Sequence, residues 1–125
     1  MAKKRKRLYD STKLIAEIEK IPLPLVDEKH NLKIFIEGRA RSNQTRIEHI
    51  VECGHDLKER DIKLIQSGIK QYYKYKKDPY KKGTYNYYLY RKGKDKGFIK
   101  ISIQIDKNDK TKAYVKTIFV TYNIK

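Results

Sequence analysis

Apolar residues recur along this chain with two different periods, and the changes of period mark its elements. Leu14, Ile15 and Ile18 fall at helical spacing over residues 10–20, behind Asp10, Ser11 or Thr12 as candidate caps, and Pro22 and Pro24 stop that helix. Leu32, Ile34 and Ile36 then share one face, with Phe35 on the other, which predicts a strand over 32–37 ended by Gly38. Ile47, Ile50 and Val51 return to helical spacing, with Ser42 or Asn43 as cap and Gly54 as stop. Asp56 and Glu59 predict a capping box for the next helix. Its core face is Ile62, Ile65 and Ile69 with Leu64 nearby, and Gly68 weakens its end. Residues 70–83 predict a loop broken by Pro79 and Gly83. Three strands follow. Residues 84–90 are aromatic. Residues 98–105 put Ile99, Ile101, Ile103 and Ile105 inward and Lys100, Ser102 and Gln104 outward. Residues 114–124 are apolar on both faces, as a central strand is. The expected fold class is α+β, with N-terminal helices packed on one face of an antiparallel sheet of about four strands. Residues 1–9 read as a disordered basic arm and 10–125 as one domain.

Charge changes that picture more than composition does. The chain of 125 residues has a formal net charge of +16. Residues 1–7 carry +5 and residues 70–100 carry +9, so two stretches hold +14 of the total. Such a field repels itself in the folded state, which points to an anionic partner, nucleic acid first. Plain lysine-driven solubility is the competing reading. A membrane is not expected as partner: no basic helix has a strong apolar face, and no apolar run is long enough to span a bilayer. Cys53 is the single cysteine, so no internal disulfide forms and a reducing compartment fits. The basic start is followed by no apolar signal core, so a cytoplasmic location is expected.

Candidate chemistry is concentrated in two places. Arg46 and His49 lie three residues apart, on a helix face offset from Ile47, Ile50 and Val51. Histidine takes or gives a proton near neutral pH, and arginine binds phosphate through two donors. A surface histidine beside a surface arginine explains the same spacing equally well. His55, in the turn beside Gly54, is a candidate accessory residue and as readily a capping or solvated one. The second place is rich in tyrosine. Eight of the eleven tyrosines lie between residues 72 and 90, interleaved with lysines. Lysine tracks phosphate and tyrosine stacks on bases, which nominates Lys74, Tyr75, Lys76, Lys77, Lys81 and Lys82, with Arg91, as a nucleic-acid-binding set. About half of these tyrosines are expected to be structural, because strand alternation buries one face. No Walker A motif, GxGxxG loop, HExxH or GxSxG is present, so no cofactor is expected. Cys53, His55 and the isolated His30 make no metal site, and the acidic residues form no two-metal cluster.

Residues 33–124 resemble the phage-associated nuclease-like domains of the barnase–EndoU–colicin E5/D–RelE (BECR) group. Arg46-Ile47-Glu48-His49-Ile50 matches the group's R-x-x-H-I-like helix motif, and Lys116-Thr117 with Thr121-Tyr122 matches its final-strand motif. The resemblance implies metal-independent RNA cleavage leaving a 2′,3′-cyclic phosphate. His49 would be the acid/base, with Arg46 and Lys116 on the scissile phosphate. Thr117, Thr121 and Tyr122 would position or polarise it. It also implies a toxin-like protein of phage or mobile-element type. The partners would be RNA, with tRNA among the candidates, and a cognate inhibitor or an acidic host protein. Three readings stay open: such a ribonuclease, a non-catalytic nucleic-acid-binding module of the same fold, and a phage accessory protein that binds an acidic host protein. The sequence leaves the oligomeric state unknown.

Overall fold

The computed structural model describes residues 12–54 and 56–124. The proposed basic arm, the Asp10 and Ser11 cap candidates and His55 lie outside the described residues. The chain is α+β. Helix α1 covers residues 12–19. It is followed by β1 (Leu25–Asp27), β2 (Leu32–Phe35), a ribbon of β3 (Arg39–Arg41) and β4 (Gln44–Thr45), α2 (Arg46–Cys53), α3 (Glu59–Gly68) and a 3-10 turn (Ile69–Gln71). The last strands are β5 (Lys74–Lys77), β6 (Thr84–Tyr90), β7 (Phe98–Ile105) and β8 (Lys112–Thr121). One six-stranded sheet runs β1-β2-β8-β7-β6-β5. Its pairs are antiparallel except β2 with β8.

The sheet is larger than the four strands expected. The additions are β1 and β5, and β5 replaces part of the loop predicted over 70–83. Both are short edge strands with little apolar pattern. β5 reads Lys-Tyr-Lys-Lys, and charge of this kind on an edge discourages pairing with other chains. The expected caps also move. Ser42 and Asn43 turn the β3–β4 ribbon, and Thr45 caps α2. Its Oγ1 accepts from the Glu48 N–H (3.1 Å), and the Glu48 carboxylate accepts from the Thr45 N–H (2.8 Å). Asp56 sits in a turn at φ +64°, and the Asp61 carboxylate accepts from the Lys58 N–H (2.9 Å) instead.

Ile99, Ile101, Ile103, Tyr87 and Leu89 form one face of the sheet and are buried against Ile50 and Val51 of α2, Ile62 and Ile65 of α3, and Leu14 and Ile18 of α1. Each such aliphatic side chain contributes about 1.5–3 kcal/mol when fully buried. Gly54 permits a close helix–strand approach, since a Cβ there would lie 3.0 Å from the Ile118 carbonyl oxygen. Gly97, at φ +87°, turns β6 into β7 where a Cβ would collide with the Tyr122 ring.

β8 changes phase midway. Val120 and Ile118 face the core, and so do Val115 and Ala113, so the parity shifts between them. The register accounts for it: Ser102 pairs with Thr117 and Ile103 with Val115, leaving Lys116 as an extra residue in a β-bulge. The expectation of a strand apolar on both faces was this phase shift seen without its register.

Candidate functional site

Adjacent residues of a regular strand point to opposite faces. The bulge lets Lys116 and Thr117 line the same hollow, a cleft of about 270 Å³ on the sheet face away from the core. Arg46 and His49 from α2, and Lys81 from the β5–β6 turn, complete its basic wall. β2 pairs with β8 only at Lys112–Tyr114, and beyond that point the Arg46 guanidinium donates to the Lys116 carbonyl (3.1 Å). The helix thus docks its first residue on the strand carrying the lysine. His49 follows one turn later, and its ring nitrogens lie 3.8 and 3.9 Å from the Cys53 sulfur.

The cleft is electrostatically uneven. Partial burial, and then the nearby Arg46 and Lys81 cations, lower the Lys116 ammonium below its ordinary range. The carboxylate in the lining, Asp78, is already engaged. It accepts from the Tyr80 N–H (2.8 Å), the Lys81 N–H (3.0 Å) and the Asn86 amide (3.2 Å). These bonds, the Tyr80 N–H foremost, hold its pKa below the usual carboxylate range. Asp78 therefore shapes the turn that carries Lys81 to the cleft. The floor is polar: Ser102 donates to buried Asn86 (2.6 Å) and Thr84 donates to Gln104 (3.0 Å). Asp78, Thr84, Asn86, Ser102 and Gln104 escaped the sequence reading. The Asp-Pro turn was a signal for the first, whereas polar residues on the outward face of a strand carry none.

Four of the six catalytic candidates, Arg46, His49, Lys116 and Thr117, meet here. Thr121 and Tyr122 do not. They stand five and six residues beyond Lys116, at and just past the end of β8, so Thr121 is roughly 17 Å away. The Thr121 hydroxyl donates to the Asn123 carbonyl (2.9 Å), and Tyr122 donates to the Asp56 carboxylate (3.3 Å).

The binding set divides too. Lys81 lines the cleft, Lys74, Lys77 and Lys82 are exposed, and Lys76 is half-buried on β5. Arg91 is corrected to a structural role. Its guanidinium, 4% exposed, grips fully buried Asp61 through two bonds of 3.0 Å and donates to the Lys96 carbonyl (2.7 Å). Tyr75 is half-buried, stacked on His30 (3.9 Å between centroids) and on Tyr85 (5.2 Å). Desolvation pushes its phenol far above the usual range.

His30, isolated in sequence, joins this aromatic cluster. Its Nδ1 lies 2.8 Å from the Asp27 carboxylate, which also accepts from the Tyr87 hydroxyl (2.5 Å). Burial and Asp27 hold Tyr87 protonated far above its ordinary range. A larger hollow of about 760 Å³ opens beside Asp27, between residues 22–29 and 66–72. Its ionisable lining mixes Asp27 and Glu28 with Lys29 and Lys70, so it lacks the cationic excess of the smaller cleft.

Among the described residues, no three His, Cys, Asp or Glu side chains gather closely enough to hold a metal ion, and no helix is long and apolar enough to cross a membrane. No family model, curated protein or solved structure matches the chain.

Proposed function

We propose that this protein is a metal-independent endoribonuclease of the BECR type, a toxin-like domain of phage or mobile-element character that acts on RNA in the bacterial cytoplasm, with tRNA a candidate substrate. One observation carries the reading: Arg46 and His49 line the same small cleft as Lys116, seventy positions away in the chain from Arg46. His49 takes the proton from a 2′-OH, and that oxygen attacks the adjacent phosphorus. The bond from phosphorus to the 5′-oxygen breaks, leaving a 2′,3′-cyclic phosphate. The leaving oxygen takes a proton from the Lys116 ammonium, whose lowered pKa favours its release. Arg46 and Lys81 stabilise the charge that grows on the phosphoryl oxygens, and Thr117 offers a hydroxyl beside them. The test is incubation of the purified protein with total RNA in EDTA. Cleavage that persists in EDTA, ends in cyclic phosphate and disappears in His49→Ala is expected. RNA binding with no cleavage would sink the proposal.

That negative outcome is the second reading, a non-catalytic RNA-binding module. Its support is the cleft's composition, three cations to one histidine, which suits holding phosphate without turnover.

A further inference from the structure

The cleft is one end of a longer surface. The sheet face away from the core is built in cross-strand rows, each fixed by contacts between its members. Asn86, Ser102 and Thr117 form the row at the cleft. The next row is Tyr88, Lys100 and Phe119. The Lys100 ammonium lies 5.2 Å from the Phe119 ring centre and 5.9 Å from that of Tyr88. The last row is Tyr90 with Phe98, and Tyr73 packs onto both at 4.7 and 5.4 Å between centroids. Rows are two residues apart, so Phe98 lies about 14 Å from Ser102 along β7.

The outer aromatic group is not core. Tyr90 is 63% exposed and Tyr73 44%, whereas Tyr87 and Leu89 on the opposite face of the same strand are buried. An exposed cluster of rings on a small domain marks a recognition surface. Its neighbours indicate the ligand. Lys100 stands between rings, and the Lys74 ammonium lies 5.8 Å from the Tyr73 ring centre. Cations alternating with aromatic faces match a strand in which phosphates alternate with unpaired bases. A duplex cannot offer its base faces to such rings, because they are stacked on each other.

We infer that this face is the track for single-stranded RNA, which passes from the Lys116 cleft over Lys100 and stacks its bases on Tyr73, Tyr90 and Phe98. The inference rests on the proposed ribonuclease function for its substrate and deepens it, assigning unpaired RNA as the substrate class.

The test uses a short fluorescent 2′-O-methyl oligonucleotide, which the chemistry above cannot cleave, as single strand and as duplex, with binding read by anisotropy. The single strand should bind more tightly than the duplex. Tyr90→Leu and Tyr73→Leu should each weaken it on the order of ten-fold, the value of one stacked base. Lys100→Gln should lower the salt dependence of binding. Tyr80→Leu, at an 89% exposed ring in the β5–β6 turn and outside the three rows, should leave affinity unchanged. Circular dichroism confirms that each variant is folded. Equal affinity for strand and duplex, or equal losses from Tyr80→Leu and Tyr90→Leu, would overturn the track. Such a result alongside EDTA-resistant cleavage of total RNA leaves the ribonuclease proposal standing. Ring-dependent binding without any cleavage has the opposite effect, keeping the track and removing the enzyme.

Discussion

Arg91 meets a carboxylate and Arg46 meets a carbonyl, and the two regions built around them differ accordingly. At the corner between α3 and the end of β6, Arg91 and Asp61 neutralise each other out of solvent, with two further guanidinium bonds to main-chain oxygens. In the cleft, Arg46 shares its space with Lys81 and Lys116, and the acidic group present, Asp78, is occupied by its own turn. Arg91 is paired inside the fold, whereas the cations of the cleft crowd with charge of their own sign.

The largest effect is expected from Arg91→Ala. Removing one partner strands a buried carboxylate, at a cost of about 3–5 kcal/mol. The melting temperature should fall by roughly 10–20 °C. A loss in calorimetry no larger than that of an exposed lysine variant would mean that the pair is not structural.

Arg46→Ala should do the reverse. Its folding stability should change by about 1 kcal/mol or less, since it loses one hydrogen bond and no buried ion pair. RNA binding should weaken, with a log–log salt slope shallower by about one ion. An unchanged slope would remove Arg46 from the proposed phosphate-binding wall.

The smallest effect is expected at Lys116. Its pKa is lowered by folding, so between that value and its ordinary 10.5 the unfolded chain holds more protons and stability rises with pH. Below that window the charged ammonium opposes folding. Lys116→Gln should therefore melt slightly above the parent at neutral pH, with the gap closing as pH rises through that window and as salt is added. The group is largely open to solvent, so the gain is small. A variant that melts lower would show that the lysine is held by a favourable contact.

Much of this contrast was legible in the sequence wherever one element contained the whole pattern. The Ile47, Ile50 and Val51 stripe showed that Arg46 and His49 leave the core face, and the alternating isoleucines marked β7 to its end residues. What failed was partnership across distance. Arg91 opens a run of lysines that reads as solvated, while Asp61 lies thirty positions earlier on another element. Tyr75 looked like one more ring between lysines, since nothing local tells that β5 turns it toward His30. Thr121 and Tyr122 were grouped with Lys116 through the final-strand motif of the BECR resemblance, yet a strand separates its residues by more than three ångströms at every step.

The bulge in β8 has a last consequence. Lys116 is supernumerary: without it, Thr117 would still face outward and Val115 and Ile118 would still face in, on an unbroken two-residue alternation. A deletion of this single residue should preserve folding while abolishing whatever the cleft does. On the proposed function, activity and architecture are therefore separable, and loss of one codon would silence the cleft without rebuilding the core.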